Sequence, residues 1–178
     1  MSEPLISLIL GGARSGKSAY AEKYASSLCD MPLYLATAQP NDLEMTQRIA
    51  EHQARRNQNW LLVEEPLNIV GTIQAAGAGR TILVECLTLW LANLMHAERN
   101  IPDSISELVA GLDQTRANVV LVANEVGLSI VPDHPLSRKF RDHAGNLNLH
   151  VAAVAHDVVF VAAGLPLFLK RAGKALYE

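Results

Sequence analysis

Apolar positions along the chain fall into short, nearly continuous runs, and between the runs apolar residues recur every three or four positions. The runs cover residues 5–10, 32–37, 60–63, 81–84, 119–123 and 157–163. Unbroken apolar runs of this length are expected of strands buried on both faces. The intervening patterns predict helices over residues 18–28, 43–56, 67–78, 87–97, 104–116 and 136–156, a loop over 127–135 and a further edge strand over 165–170. Asp42 is placed to cap the second of these helices, and Gly77 and Gly79 to end the third. Strands that alternate with helices imply a mainly parallel sheet flanked by helices on both faces. Ligands of such sheets gather at the carboxyl ends of the strands. The polar residues at those ends therefore matter: Thr37 and Gln39, Glu64 and Glu65, Glu85, Asn124 and Glu125.

One junction carries a complete motif. Between the first apolar run and the first helix stands Gly11-Gly12-Ala13-Arg14-Ser15-Gly16-Lys17-Ser18, a Gly-x-x-x-x-Gly-Lys-Ser phosphate-binding loop in its proper strand–turn–helix context. The glycines let the backbone amides turn inward to form, with the helix N-terminus, a concave anion site. Lys17 would meet the β and γ phosphates of a nucleotide, and the Ser18 hydroxyl would ligate Mg²⁺. Arg14 adds a cation beside the phosphates. Such a site needs an acid at a strand end to hold or orient the hydrated metal, and Glu85 and Glu125 both fit. Either could equally serve as a helix cap or an ion-pair partner.

Composition narrows the setting. A chain of 178 residues suits a single domain spanning residues 1–178, large enough to bury a core. The formal net charge is −3 with no block of Lys and Arg, which argues against nucleic acid as the main partner. Cys29 and Cys86 suggest no disulfide framework and fit a reducing, cytoplasmic setting. No signal peptide is visible, and no apolar run approaches the ~20 residues of a membrane span. The histidines show no metal spacing, and His143, His150 and His156 are read as ordinary helical residues. Trp60 and Trp90 are read as core.

His52 is a second focus. With Arg48, Arg55 and Arg56 it shares one face of a predicted helix, suited to a nucleotide's phosphates. A neutral imidazole is also a competent nucleophile at phosphorus. By spacing alone, a solvated basic helix with an incidental histidine is the more economical account.

A wider set of residues bears on that choice. The phosphate loop, then Ala36-Thr37-Ala38-Gln39, then Glu44-Met45 with Arg48-Ile49 and His52, then Arg56, Trp60 and Glu64, resemble one family in order. The resemblance continues through Leu83-Val84-Glu85-Cys86-Leu87-Thr88, Asn124-Glu125-Val126-Gly127, Ile130-Val131-Pro132, Phe140-Arg141-Asp142, Ala144-Gly145, Asn148, Gly164-Leu165-Pro166 and Lys170. The family is the bifunctional adenosylcobinamide kinase/adenosylcobinamide-phosphate guanylyltransferase of cobalamin biosynthesis. The resemblance covers nearly the whole chain. It implies a P-loop nucleotide-binding fold and two reactions. In the first, the aminopropanol hydroxyl of adenosylcobinamide is phosphorylated by ATP or GTP. In the second, GMP passes from GTP to that phosphate, giving adenosylcobinamide-GDP and pyrophosphate.

By motif position the resemblance makes His52 the carrier of the guanylyl group, reversing the reading from spacing. It places nucleotide contacts on Gly11, Gly12, Ala13, Arg14, Ser15, Gly16, Lys17 and Ser18, on Thr37, Ala38 and Gln39, on Gln53, Ala54, Arg55 and Arg56, and on Glu64 and Glu85. It also implies a ring-like homotrimer. The chain departs from the family's usual His-Arg-x-x-Arg-Pro, with Gln53 for the first Arg and Asn57 for the Pro. Arg55 stands nearest to supply the missing charge. Two rival readings follow from the motif alone: a P-loop kinase of another small molecule, which would not need His52, and a nucleotide-dependent switch protein, which would need no acceptor pocket.

Overall fold

The computed structural model describes residues 3–40, 43, 46, 47, 50 and 59–177. The first apolar run forms β1 (Ile6–Gly11), and the Lys- and Ala-rich stretch after the phosphate loop forms α1 (Lys17–Leu28). Next come β2 (Leu33–Ala36), β3 (Leu61–Glu64), α2 (Ile69–Ala75), β4 (Thr81–Glu85), α3 (Leu87–His96) and α4 (Ile101–Gln114). The chain continues through β5 (Asn118–Asn124), α5 (Pro135–Val154), β6 (Asp157–Ala162), β7 (Leu165–Arg171) and β8 (Lys174–Ala175). Of the helix expected over 43–56, Leu43, Thr46, Gln47 and Ala50 are helical, and the other residues lie outside the described ones.

The strands form one sheet in the order β3-β2-β4-β5-β1-β6-β7-β8. The first six are parallel, and β7 and β8 add on as antiparallel strands. Alternation along each strand divides the core into two layers. Ile6, Leu8 and Leu10 of β1 join Leu35, Ile82, Val84, Val119, Leu121 and Val158 under α2–α5. Ile9 joins Tyr34, Leu83, Val120, Val122, Val159 and Val161 on the other face, where Ala21 and Ala25 bring α1 close to the sheet. Two alanines at helical spacing permit that close approach. Ser7 is buried on the same face, and its hydroxyl donates to Tyr24 Oη at 3.4 Å. Tyr24 Oη in turn donates to Asp157 Oδ2 at 3.0 Å, tying α1 to β6.

Local chemistry explains where elements start and stop. α4 begins three residues earlier than the apolar pattern indicates, because Asn100 Oδ1 accepts from Asp103 N at 3.3 Å and Pro102 suits the first turn. α5 is capped by His134, whose Nδ1 accepts from Leu136 N at 3.2 Å. It ends at Val154, so His156 is not helical. His156 Nδ1 instead accepts from Ile6 N at 3.1 Å, and His156 N donates to Ile6 O at 2.8 Å, seating β6 beside β1. Trp90 is core as expected, and its Nε1 donates to Leu67 O at 2.8 Å. Trp60 is half-buried and meets Tyr34 edge-on, with ring centroids 5.8 Å apart.

Candidate nucleotide site

The carboxyl ends of β1, β2, β3, β4 and β5 lie along one edge of the sheet, so the polar residues that follow them face a common region. The loop after β1 is the centre of it. Arg14 and Gly16 take left-handed angles, with φ of 57° and 92°. Such angles curl successive amides toward one concave side, an anion-binding nest. Gly11 is required by space: a Cβ there would lie 2.5 Å from both Ser15 Oγ and Val161 O. The loop is braced from the far end of the chain, since Gly164 N in the β6–β7 turn donates to Ser15 O at 2.8 Å. Ser15 Oγ is buried and finds no hydrogen-bond partner among the described residues. A buried hydroxyl left so costs about 1–3 kcal/mol, and a phosphate oxygen seated in the loop would satisfy it.

Lys17 is 8% exposed, and its Nζ donates to Gly12 O at 3.2 Å. A buried ammonium needs more than one neutral carbonyl to offset its lost hydration, which suits a site built for a phosphate. Ser18 Oγ donates to Glu85 Oε1 at 2.9 Å, bringing together the two residues expected at the metal. A hydroxyl and a carboxylate are hard oxygen donors of the kind Mg²⁺ takes. Arg14 is exposed at the crown of the loop, beside exposed Ala13.

Thr37 is fully buried, and its groups are turned into the protein. Its Oγ1 accepts from Cys86 N at 2.8 Å and donates to Cys86 O at 2.8 Å, while Thr37 N donates to Glu85 O at 3.0 Å. Thr37 thus clamps the Glu85–Cys86 peptide and the carbonyl that follows it, which fixes the backbone from which the Glu85 carboxylate projects. Ala38 and Gln39 follow it, both half-buried. Glu64 is exposed at the end of β3, in register with Ala36. Its neighbour Glu65 is a cap: Oε1 accepts from Leu67 N at 2.9 Å and Asn68 N at 2.8 Å. His52, Gln53, Ala54, Arg55 and Arg56 lie outside the described residues.

Glu125 makes bonds of its own, apart from the one that joins Ser18 to Glu85. Its N donates to Gly11 O at 3.0 Å and its Oε1 accepts from Gly127 N at 2.5 Å. Three further residues have structural parts in the site: Thr88 and Gly164 stand in the motifs of the resemblance with no role attached, and Asn93 carries no sequence signal. Asn93 Nδ2 donates to Thr37 O at 2.8 Å and Pro66 O at 3.0 Å, holding the turns after β2 and β3. Thr88 Oγ1 accepts from Asn124 N at 2.7 Å. Gly164 braces the phosphate loop. Their spacing could have indicated helix or turn, but not which distant backbone each would reach.

Burial pushes the Cys86 thiol up to about 11, with the adjacent Glu85 charge adding to the effect. Cys86 is therefore a protonated core residue, not a nucleophile. Among the described residues, no group of three His, Cys, Asp or Glu side chains is arranged to hold a metal ion. No helix among them is long and apolar enough to cross a membrane.

This geometry has known counterparts. The fold is shared with a RadB recombinase, at TM-score 0.51 and 13% identity over 88% of this chain and 73% of that one. It is also shared with an ATPase from a bacterial type III secretion system, at TM-score 0.58 and 11% identity over 92% of this chain and 56% of that one. At such identities the likeness concerns the fold alone. In sequence, the chain is 46% identical to the bifunctional adenosylcobalamin biosynthesis protein CobP of Pseudomonas aeruginosa, over 92% of this chain and 96% of that protein. It is 40% identical to the bifunctional adenosylcobalamin biosynthesis protein CobU of Salmonella typhimurium, over 92% and 98%. A family model described as cobinamide kinase / cobinamide phosphate guanyltransferase matches residues 7–169, which include every site residue above. The chain therefore belongs to the cobinamide kinase / cobinamide phosphate guanyltransferase family.

Proposed function

We propose that this chain carries both activities of its family, acting on adenosylcobinamide: phosphorylation of its aminopropanol hydroxyl by ATP or GTP, then transfer of GMP from GTP to the new phosphate through a guanylyl-histidine at His52. The observation that carries the reading is the phosphate loop itself, with Lys17 buried at its floor and Ser18 joined to Glu85. The inward amides of residues 12–18 and the Lys17 ammonium neutralise charge that builds on the transferred phosphoryl group. Ser18 and Glu85 would hold Mg²⁺, which supplies charge neutralisation at the β and γ phosphates. Thr37 keeps Glu85 in place for that task. Arg14, Arg55 or Arg56, with Ala38, Gln39, Gln53, Ala54 and Glu64, complete the nucleotide contacts. The exposed leucines Leu165, Leu167, Leu169 and Leu176 on β7 and its margin are consistent with a homo-oligomer, which the family resemblance puts at a trimer.

The test is incubation with α-labelled GTP and Mg²⁺, followed by peptide mapping at neutral pH. Label on His52 of the wild type, none on His52→Asn, and surviving phosphorylation of adenosylcobinamide are the expected results. A His52→Asn variant that makes adenosylcobinamide-GDP at the normal rate overturns the covalent route. A wild type that phosphorylates other small alcohols but not adenosylcobinamide overturns the substrate.

A further inference from the structure

We propose that Glu125 and the apolar pocket beside it form the acceptor subsite of the kinase reaction, with Glu125 taking the proton of the acceptor hydroxyl. The inference rests on the kinase reading above and adds to it the residues that receive the acceptor.

The two strand-end acids serve opposite sides of the sheet. Glu85 meets Ser18 of α1, on the face that α1 covers. Glu125 lines a pocket with Gly12, Val126, Leu128, Ser129 and Phe160, and Val126 and Phe160 pack against the other core layer, under α2–α5. Glu85 pairs in register with Val122, so Glu125 lies three residues further along the strand direction, about 10 Å at ~3.3 Å per residue. The Glu125 backbone thus starts from a point on the sheet's edge beyond that of the Ser18–Glu85 pair.

The pocket is nevertheless joined to the phosphate loop. Gly12 belongs to both, and Gly12 O is the atom that Lys17 Nζ touches at 3.2 Å. Gly12 is thus the residue at which the pocket adjoins the loop that would hold the nucleotide's phosphates. Glu125 is fixed there by two bonds, from Gly127 N to Oε1 and from its own N to Gly11 O. The former engages one carboxylate oxygen and leaves Oε2 for a second partner. The pocket's volume is about 410 Å³, enough for a hydroxyl-bearing side arm but too small for a whole corrin ring. Leu128, which lines it, is 83% exposed, and Ile130 and Val131, next along the same loop, are 94% and 60% exposed. They make an apolar shelf suited to the body of a large ring whose arm enters the pocket.

In the step, the acceptor O–H gives its proton to Glu125, and the oxygen forms a bond to the γ-phosphorus. The bond from that phosphorus to the β–γ bridging oxygen breaks, and the nucleoside diphosphate leaves with the electron pair. Glu125 then returns its proton to solvent.

Steady-state phosphorylation of adenosylcobinamide by ATP tests this with Glu125→Gln and Leu128→Asp. The affinity for a non-hydrolysable ATP analogue with Mg²⁺ is measured beside each. Glu125→Gln is expected to lower kcat about 10²-fold, the lower range for a lost general base, while the analogue still binds. Leu128→Asp, at an exposed position, is expected to raise KM for the acceptor about tenfold with little change in kcat. If Glu125→Gln instead loses Mg²⁺-dependent analogue binding, it is a metal residue and the subsite is overturned. Unchanged kcat in Glu125→Gln, or an unchanged acceptor KM in Leu128→Asp, also overturns it. A wild-type chain that does not phosphorylate adenosylcobinamide at all overturns the kinase reading first, an outcome distinct from these.

Discussion

Ser18 Oγ and Glu85 Oε1 lie 2.9 Å apart, although 67 positions separate the two residues in the chain. The pair joins the first turn of α1 to the carboxyl end of β4, and the clamp from Thr37 to Cys86 holds the strand side of it. Glu85→Gln keeps the size of the side chain and its capacity to accept from Ser18, but removes the charge. The expected outcome is a rise of roughly 10–100-fold in the Mg²⁺ concentration needed for half-maximal turnover, with an unchanged melting temperature. Titrating activity against Mg²⁺ checks it. Full activity of the variant at limiting Mg²⁺ would move the metal role elsewhere.

Lys17→Ala removes the cation at the floor of the phosphate loop. Both activities draw on a nucleotide's phosphates, so both are expected to fall, roughly 10²–10³-fold for loss of one preorganised charge partner. Parallel assays of cobinamide phosphorylation and of GMP transfer to the protein decide it. Retention of either at near-normal rate would show that the loop does not serve that reaction.

Thr37→Val preserves shape and deletes the hydroxyl that both accepts from and donates to Cys86. Cys86 N then loses its acceptor in a buried place, while Cys86 O keeps its bond from Trp90 N at 3.0 Å. The expected loss is about 1–3 kcal/mol of stability, read by urea unfolding, together with a higher Mg²⁺ requirement because Glu85 is less firmly placed. A variant as stable as the wild type would mean that water replaces the hydroxyl.

The Cys86 thiol gives a pH signature. Its folded value of about 11 lies above the ordinary 9.0, through burial first and the Glu85 charge second. The neutral thiol is favoured in the folded state, so its contribution is whole below about pH 9 and is lost as pH rises toward 11. Stability of the wild type should fall across that window, and Cys86→Ala should show a shallower decline. Burial also raises Tyr20 and Tyr24, whose share is common to both proteins, so the difference between the two curves isolates the thiol. Curves of equal slope would refute the assignment.

Much of this was legible in the sequence, for reasons that particular residues make plain. The buried strands announce themselves because Ile82-Leu83-Val84 and Val119-Val120-Leu121-Val122 have protein on both faces and need no alternation. The phosphate loop is a local object, so eight consecutive residues specify it. What was hidden is non-local. Thr37 reads as a polar strand end, and only the packing of β2 beside β4 turns its hydroxyl to Cys86. His156 follows a helical pattern, and only the neighbouring β1 reveals it as an acceptor for Ile6 N. The strand order follows from no single residue. The start of α4 lies outside the apolar periodicity, because Asn100 does the capping and Ser104 Oγ, one turn on, donates to Asn100 O at 2.9 Å.

β1 is the first strand in the chain and sits between β5 and β6, with the loop it carries braced by Gly164. A ribosome therefore releases the phosphate loop long before anything exists to hold it. Neither lateral neighbour of β1 is complete until residue 124, and the brace on Ser15 arrives 40 residues later still. Closure of so long a span comes late in folding. A nascent chain stopped before the β6–β7 turn presents the whole motif in its sequence without the brace on Ser15. A nucleotide seated in the loop would therefore stabilise most those chains in which the β6–β7 turn has docked on it.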